Sequence, residues 1–254
     1  MSIPSFETIG VRVSAATIQS LHAAIGAAVT ARRRFIMVSQ NLHSVYLQRS
    51  NETLRNLHQL ADVVRIDGMP LLWFSKIDGL PVTSENRIGW MDWMHQFMEA
   101  AQEEGWRVFY VGSKEAVQVE ALKRLKERFP NLHLDGHHGY FDASGNSSDS
   151  LEVIGKAHEF GADVLLVGMG MPRQETWLYE HRDVIQVPVL LTCGAAMDYV
   201  AGQQATPPRW LGRIGFEWLY RLLSDPKRMW FRYLVEPWYA VGLFVRSRFT
   251  RAKG

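Results

Sequence analysis

The stretch ADVLLVGMGMPRQETW, residues 162–177, decides the fold. Its first half holds DVLLV at 163–167, a short apolar run bounded by turn residues, which suits a strand buried on both faces. Its second half runs through Gly168-Met169-Gly170-Met171-Pro172 into Arg173-Gln174-Glu175, the opening of a helix. Strand, glycine turn and helix in that order form one unit of an α/β sheet. The unit recurs along the chain. Apolar runs at 34–38 (RFIMV), 63–66 (VVRI), 107–111 (RVFYV), 132–134 and 187–192 (VPVLLT) alternate with helix-like segments at 15–30, 44–60, 91–102 and 114–128. The expected fold is therefore α/β, a mostly parallel Rossmann-like sheet flanked by helices over residues 1–206. Ligands of such sheets sit beyond the carboxyl ends of the strands.

Residues 207–254 read differently. Helical patterns at 209–223 and 228–245 are separated by Asp225-Pro226, with proline suited to the first turn of the second helix. Trp210, Trp218, Trp230 and Trp238 lie here. So do ten Lys/Arg against three acids, giving the tail +7 and leaving −5 for the rest of a chain whose net charge is +2. A basic, aromatic helical tail meets something anionic, such as lipid headgroups, a diphosphate or nucleic acid. The same residues describe an amphipathic segment lying on a membrane surface, and short helices of this kind would also suit an interface between copies of the chain.

With 254 residues, 47% of them hydrophobic, the chain can bury a sizeable core. The single cysteine, Cys193, excludes an internal disulfide, leaves no cysteine set for zinc and suits a reducing compartment. The opening MSIPSFETIGVRV has no basic n-region followed by an apolar core, so it is not read as a signal peptide. No apolar stretch reaches the length of about 18 residues that a spanning helix needs. A cytoplasmic protein, peripheral on the inner face of the membrane, is expected.

The chemistry concentrates at the strand ends: Ser39-Gln40-Asn41, Asp67-Gly68, Gly112-Ser113-Lys114, Gly168 to Glu175, and Cys193 to Asp198. Glycines there let backbone N–H groups approach a phosphate, and the helix N-termini that follow favour negative charge. The pattern suggests a nucleotide or diphosphate ligand, although neither a GxGxxG fingerprint nor a P-loop is present. Asp67 fits two roles, general base toward an acceptor hydroxyl or N-cap of the helix starting near Met69. Asp198 fits either a sugar or ribose hydroxyl or a turn. Gln174 is placed to bond a base or diphosphate, whereas Glu175 suits the first turn of its helix. His137-His138 is read as structural or pocket wall, since adjacent histidines do not face one way. No Asp-x-Asp pair is available to hold a cation on a diphosphate, so leaving-group charge falls to helix N-termini and arginines, with Arg221, Arg228 and Arg232 the candidates. Neither metal nor cofactor is expected.

Together these pieces resemble the WecG/TagA/CpsF glycosyltransferases (glycosyltransferase family 26). The matching blocks are VSQNLHSVYL, RIDGMPLLW, NRIGWMDWM, VFYVGSKEAV, HHGYF, ADVLLVGMGMPRQETW, GAAMDYVAG and TPPRWLGRIGFEWLYRLLSDPKRMWFRY, covering about residues 36–233. The resemblance implies a distinct GT-E-type α/β fold with a C-terminal appendage that docks on the membrane and closes over the site. It implies an inverting, metal-independent transfer from a UDP-sugar donor to an undecaprenyl-diphosphate-linked sugar acceptor. It places the catalytic aspartate at Asp67, a catalytic hydroxyl at Ser39, and substrate-binding groups at Asn41, Arg87, Gln174, Arg221, Arg228 and Arg232. Gly112, Gly168, Gly170 and Asp198 are added from the strand-end reading. The aromatic loop and tail look most like exopolysaccharide members similar to xanthan-type β-1,4-glucosyltransferases, so a hexose, glucose, is the expected sugar. N-acetylmannosamine or N-acetylmannosaminuronic acid is the alternative. Two rivals remain. A nucleic-acid-binding module would leave the strand-end glycines without purpose, and a soluble UDP-sugar hydrolase or epimerase would not need the tail. Nucleic acid is not expected as a partner.

Overall fold

The computed structural model describes residues 3–145, 147–204, 211 and 217–251, with the side chains of Glu217, Arg228, Thr250 and Arg251 left aside. An eight-stranded sheet organises them. Its strands are β1 (Ser5–Thr8), β2 (Val11–Ser14), β3 (Phe35–Gln40), β4 (Val63–Ile66), β5 (Arg107–Gly112), β6 (His133–His137), β7 (Val164–Gly168) and β8 (Val189–Thr192). Their spatial order is β1-β2-β4-β3-β8-β7-β5-β6, and all neighbours are parallel except the β1–β2 hairpin. The expected α/β fold is what the chain adopts. The hairpin was not anticipated: at four residues each, SFET and VRVS are too short and too polar to announce themselves.

The central strands β3, β4, β7 and β8 are buried along their whole length. One face carries α1 (Ile18–Thr30), α5 (Trp90–Glu103) and α6 (Glu115–Arg128). Trp93 is fully buried there, stacked on Trp90 with ring centroids 4.6 Å apart. The other face carries α3 (Glu52–Leu60), α7 (Ser148–Glu159) and α8 (Arg173–His181). Periodicity alone joins residues 44–60 into one helix. The structure divides them into α2 (Leu42–Leu47) and α3, because Asn51 takes an extended conformation and caps Leu54 N–H with its side chain. Two further helices, α4 (Met69–Ile77) and α9 (Ala196–Val200), follow β4 and β8.

The described part of the tail forms α10 (Glu217–Ser224), α11 (Pro226–Leu234) and α12 (Glu236–Arg251). Pro226 opens α11 as its type demands. The single helix expected at 228–245 is interrupted at Val235, just before Glu236-Pro237. Helix α12 packs on α2, and Ala240 enters a third core cluster with Ile66, Leu71 and Leu72. The expected boundary at 206/207 and Trp210 lie outside the described residues.

The strand-end glycines divide into two kinds. A Cβ on Gly168 would lie 2.6 Å from the Gly194 carbonyl oxygen and 2.7 Å from the Tyr110 hydroxyl, and a Cβ on Gly112 would collide with the Gly168 carbonyl. These two glycines let neighbouring backbones close up around the Tyr110 hydroxyl, which bonds Ser113 Oγ at 2.8 Å. Gly170 (φ 81°) and Gly194 (φ 56°) have open space at Cβ and are needed for the left-handed turn instead. Gln174 ties these two turns together. Its Oε1 accepts from Gly170 N–H (3.3 Å) and Gly194 N–H (3.1 Å), and its Nε2 donates to Glu175 Oε1 at 2.6 Å. Glu175 is fully buried, and burial pushes its carboxyl up to about 7.

Two outcomes follow from this packing. Gly168→Ala is expected to cost roughly 1–3 kcal/mol by overpacking, read by urea unfolding. For Glu175 the folded-state value lies above the ordinary 4.5, so folding takes up a proton between about 4.5 and about 7, and stability falls as pH rises through that window. Glu175→Gln is expected to flatten that slope in unfolding curves recorded from pH 4.5 to 8; an unchanged slope would assign the dependence to another group.

Candidate active site

The site lies beyond the carboxyl ends of β3 and β4. Asp67 directly follows β4, and its N–H extends the pairing by donating to the Gln40 carbonyl at 2.8 Å. The N-cap of α4 is Gly68, at φ 111°, with no side-chain cap bond. Asp67 therefore does not serve as the cap, and its carboxylate lines a cavity of about 460 Å³. Arg87 reaches the same cavity because residues 86–88 run alongside β4: Ile88 N–H donates to the Ile66 carbonyl at 3.1 Å. Arg87 pairs with Asp92 at 2.9 Å. Gly89 lies among these side chains: a Cβ there would make ordinary contacts of 3.4 to 3.9 Å with Asp92, Arg87 and Asp67. Asn41 caps α2 by accepting from Ser44 N–H at 3.0 Å, and it also lines the cavity.

The opposite side of the cavity comes from the tail. Arg221 and Trp218 of α10, Arg232 and Tyr233 of α11, and Pro237 and Val241 of α12 all line it. Arg221 stacks over the Tyr199 ring, 5.4 Å from its centroid, which joins the tail to α9. Met69, Leu71, Trp73 and Phe74 of α4 supply an apolar wall. The result is a cleft with one carboxylate and three guanidinium groups among apolar side chains.

Five of the expected residues, Asn41, Asp67, Arg87, Arg221 and Arg232, thus meet in one cavity. Among the described side chains, Ser39, Gly112, Gly168, Gly170, Gln174 and Asp198 do not line it. Ser39 is buried, and its hydroxyl accepts a hydrogen bond from Arg65 beneath the cavity floor. In this structure it holds Arg65, and it is 4% exposed. Gln174, expected to face ligand, is 1% exposed with its amide spent on the two glycine turns. The Gly170 and Gly194 N–H groups, expected to cradle a phosphate, go to that amide. Gly112 and Gly168 serve backbone packing. Asp198 is in the first turn of α9, beside the Tyr199 on which Arg221 stacks. Arg228 is in α11, its side chain outside the described set. His137 ends β6 and His138 follows it; neither lines the cavity, although their rings stand 4.2 Å apart.

Sequence reasoning missed Arg65 and His43. Arg65 is fully buried, lies 5.5 Å from the Trp90 ring centroid, and keeps Nε and Nη1 without partners. Burial pulls its guanidinium below the ordinary range, while the Asp67 charge opposes that shift. A lone cation inside the apolar run VVRI was the available signal. His43 lines the cavity two residues after Asn41, and its place in the first turn after a strand end was the cue.

A sequence profile described as "Glycosyl transferase WecG/TagA/CpsF family" matches residues 6–254. An N-acetylglucosaminyldiphosphoundecaprenol N-acetyl-beta-D-mannosaminyltransferase of Bacillus spizizenii is 30% identical over 188 residues, 74% of this chain and 70% of that protein. The enzyme of the same name from Staphylococcus aureus (strain MRSA252) is 28% identical over 187 residues, 74% and 68% of the two chains. Both names specify N-acetylmannosamine, so they give no support to the expected glucose or to closeness with xanthan-type enzymes, and the alternative sugar fits them better. Profile, relatives and the α/β sheet with its helical tail agree, and the chain belongs to the WecG/TagA/CpsF family of glycosyltransferases.

Proposed function

We propose that this glycosyltransferase moves N-acetylmannosamine from a UDP donor onto an N-acetylglucosamine carried by a polyprenyl diphosphate, with inversion, as a step in building a cell-surface glycan. The observation that carries the reading is the single cavity in which Asp67 meets Arg87, Arg221 and Arg232 among apolar walls. The sugar identities follow the names of the two relatives.

In this mechanism an acceptor hydroxyl attacks the anomeric carbon of the donor. Asp67 takes the hydroxyl proton as general base. The bond between the anomeric carbon and the diphosphate breaks, and UDP departs with the electron pair. Arg221 and Arg232, with Arg228 assigned alongside them, meet the charge that develops on the leaving diphosphate. Guanidinium groups suit this because they stay charged and bond phosphate oxygens in a fork. Arg87, held by Asp92, orients a substrate oxygen near Asp67. Residues 207–254 act as the appendage that closes over the sheet domain.

Among the described residues, no helix is long and apolar enough to cross a membrane. The tail nevertheless exposes Leu223 (74%), Trp238 (73%) and Phe249 (68%) in a strongly basic segment. Aromatic and basic residues together favour the headgroup region of an anionic bilayer. This supports a peripheral position at the inner membrane face, where a lipid-linked acceptor is presented.

The decisive measurement uses the full chain, a polyprenyl-diphosphate N-acetylglucosamine and a panel of UDP-sugars, with the product identified by mass and linkage. UDP-N-acetylmannosamine is expected to be used and UDP-glucose to be poor; the reverse preference would overturn the sugar assignment. Asp67→Asn is expected to lower kcat by about 10²–10⁴-fold, and near-normal turnover would remove Asp67 as base. Arg232→Ala is expected to lower kcat by about 10²–10³-fold.

A further inference from the structure

At the cavity wall, an imidazole from the sheet domain meets a carboxylate from the tail. His43 is the second residue of α2 and lines the cavity. Its Nδ1 stands 2.9 and 2.8 Å from Oε1 and Oε2 of Glu236. Glu236 is the first residue of α12, is 3% exposed and does not line the cavity itself. A carboxylate bound to one ring nitrogen fixes both the tautomer and the plane of the ring. Nε2 is the ring nitrogen that the Glu236 pairing does not use, on a residue that lines the cavity.

The chemistry of that nitrogen is narrow. In either ring state the His43–Glu236 pair has no surplus positive charge, so it does not attract a diphosphate as the arginines do. Nε2 can still hydrogen-bond a neutral hydroxyl. The surrounding wall points the same way: Leu42 precedes His43, Pro237 follows Glu236, and Val241 lies one turn further along α12, all lining the cavity. A hydroxyl-bearing ring with an apolar extension matches that wall better than a second phosphate.

We propose that His43 binds a hydroxyl of the lipid-linked acceptor sugar through Nε2, and that Glu236 is the positioning residue that sets the ring from the tail. Seating of α12 then finishes the acceptor site as well as covering it. The proposal rests on the sugar-transfer reading above.

The test varies acceptor and UDP-sugar separately with full-length protein, and adds direct titration of a short-chain prenyl-diphosphate N-acetylglucosamine. His43→Ala is expected to raise KM and Kd for the acceptor by roughly three- to tenfold, the worth of one neutral hydrogen bond, with KM for the UDP-sugar unchanged. His43→Gln, which keeps a polar atom near Nε2, recovers part of the loss. Glu236→Gln stays close to wild type because it still bonds Nδ1, whereas Glu236→Ala follows His43→Ala. Limited trypsin digestion runs in parallel. An equal rise in both KM values, or faster tail cleavage in His43→Ala, would show a clasp and overturn the binding role; so would acceptor affinity unchanged in His43→Ala. Wild-type protein that neither binds the acceptor nor transfers a sugar overturns the parent reading, and this proposal falls with it.

Discussion

A full positive charge lies buried under the floor of the site, and much of the surrounding arrangement is a response to it. Taking a guanidinium out of water costs several kcal/mol unless other groups compensate. Arg65 meets that cost with the Ser39 hydroxyl, the nearby Trp90 ring and the charge of Asp67. This explains why a hydroxyl stands at residue 39: it is the acceptor for a buried donor. It also gives Asp67 a fixed cation on its inner side, while Arg87 shares the cavity with it. The carboxylate is thus held in a positive setting from within the sheet as well as from the cleft.

The same economy governs the glycine-rich strand ends. Read as sequence, Gly168 to Gln174 looks like a cradle for phosphate. In the folded chain the turn N–H groups are satisfied by Gln174, and the tight glycines make room for the Tyr110 hydroxyl. In the proposed mechanism the diphosphate is met by cationic side chains, most of them delivered by the tail. The proposed division of labour, a sheet that holds the base and a tail that meets the leaving group, accords with how these backbone donors are already spent.

Fold and site were legible to different depths, for physical reasons. Strands such as 107–111 and 163–167 stand out because burial on both faces makes them continuous apolar runs between glycines. The β1–β2 hairpin gives no such signal, and the break between α2 and α3 hides within an unbroken apolar period. Asp67, Asn41 and Arg87 were readable because they follow strand ends or sit in recognisable blocks. Arg65 was masked by its apolar neighbours. The pairing of His43 with Glu236 was beyond reach, because the partners are 193 residues apart and no local pattern links them. Ser39 and Gln174 were found as positions, but their bonding became visible only with the side chains in place.

The cavity draws one wall from residues 41–87 and the facing wall from residues 218–241. The intervening chain supplies β5 to β8, most of the parallel sheet. A chain emerging from the ribosome completes that sheet before the tail exists, and domains tend to fold as they emerge. Asp67 would then spend that interval in an open cleft, with Arg221 and Arg232 not yet made. Under the proposed mechanism, synthesis order builds in a delay: the scaffold can mature before the residues that meet the leaving group are made.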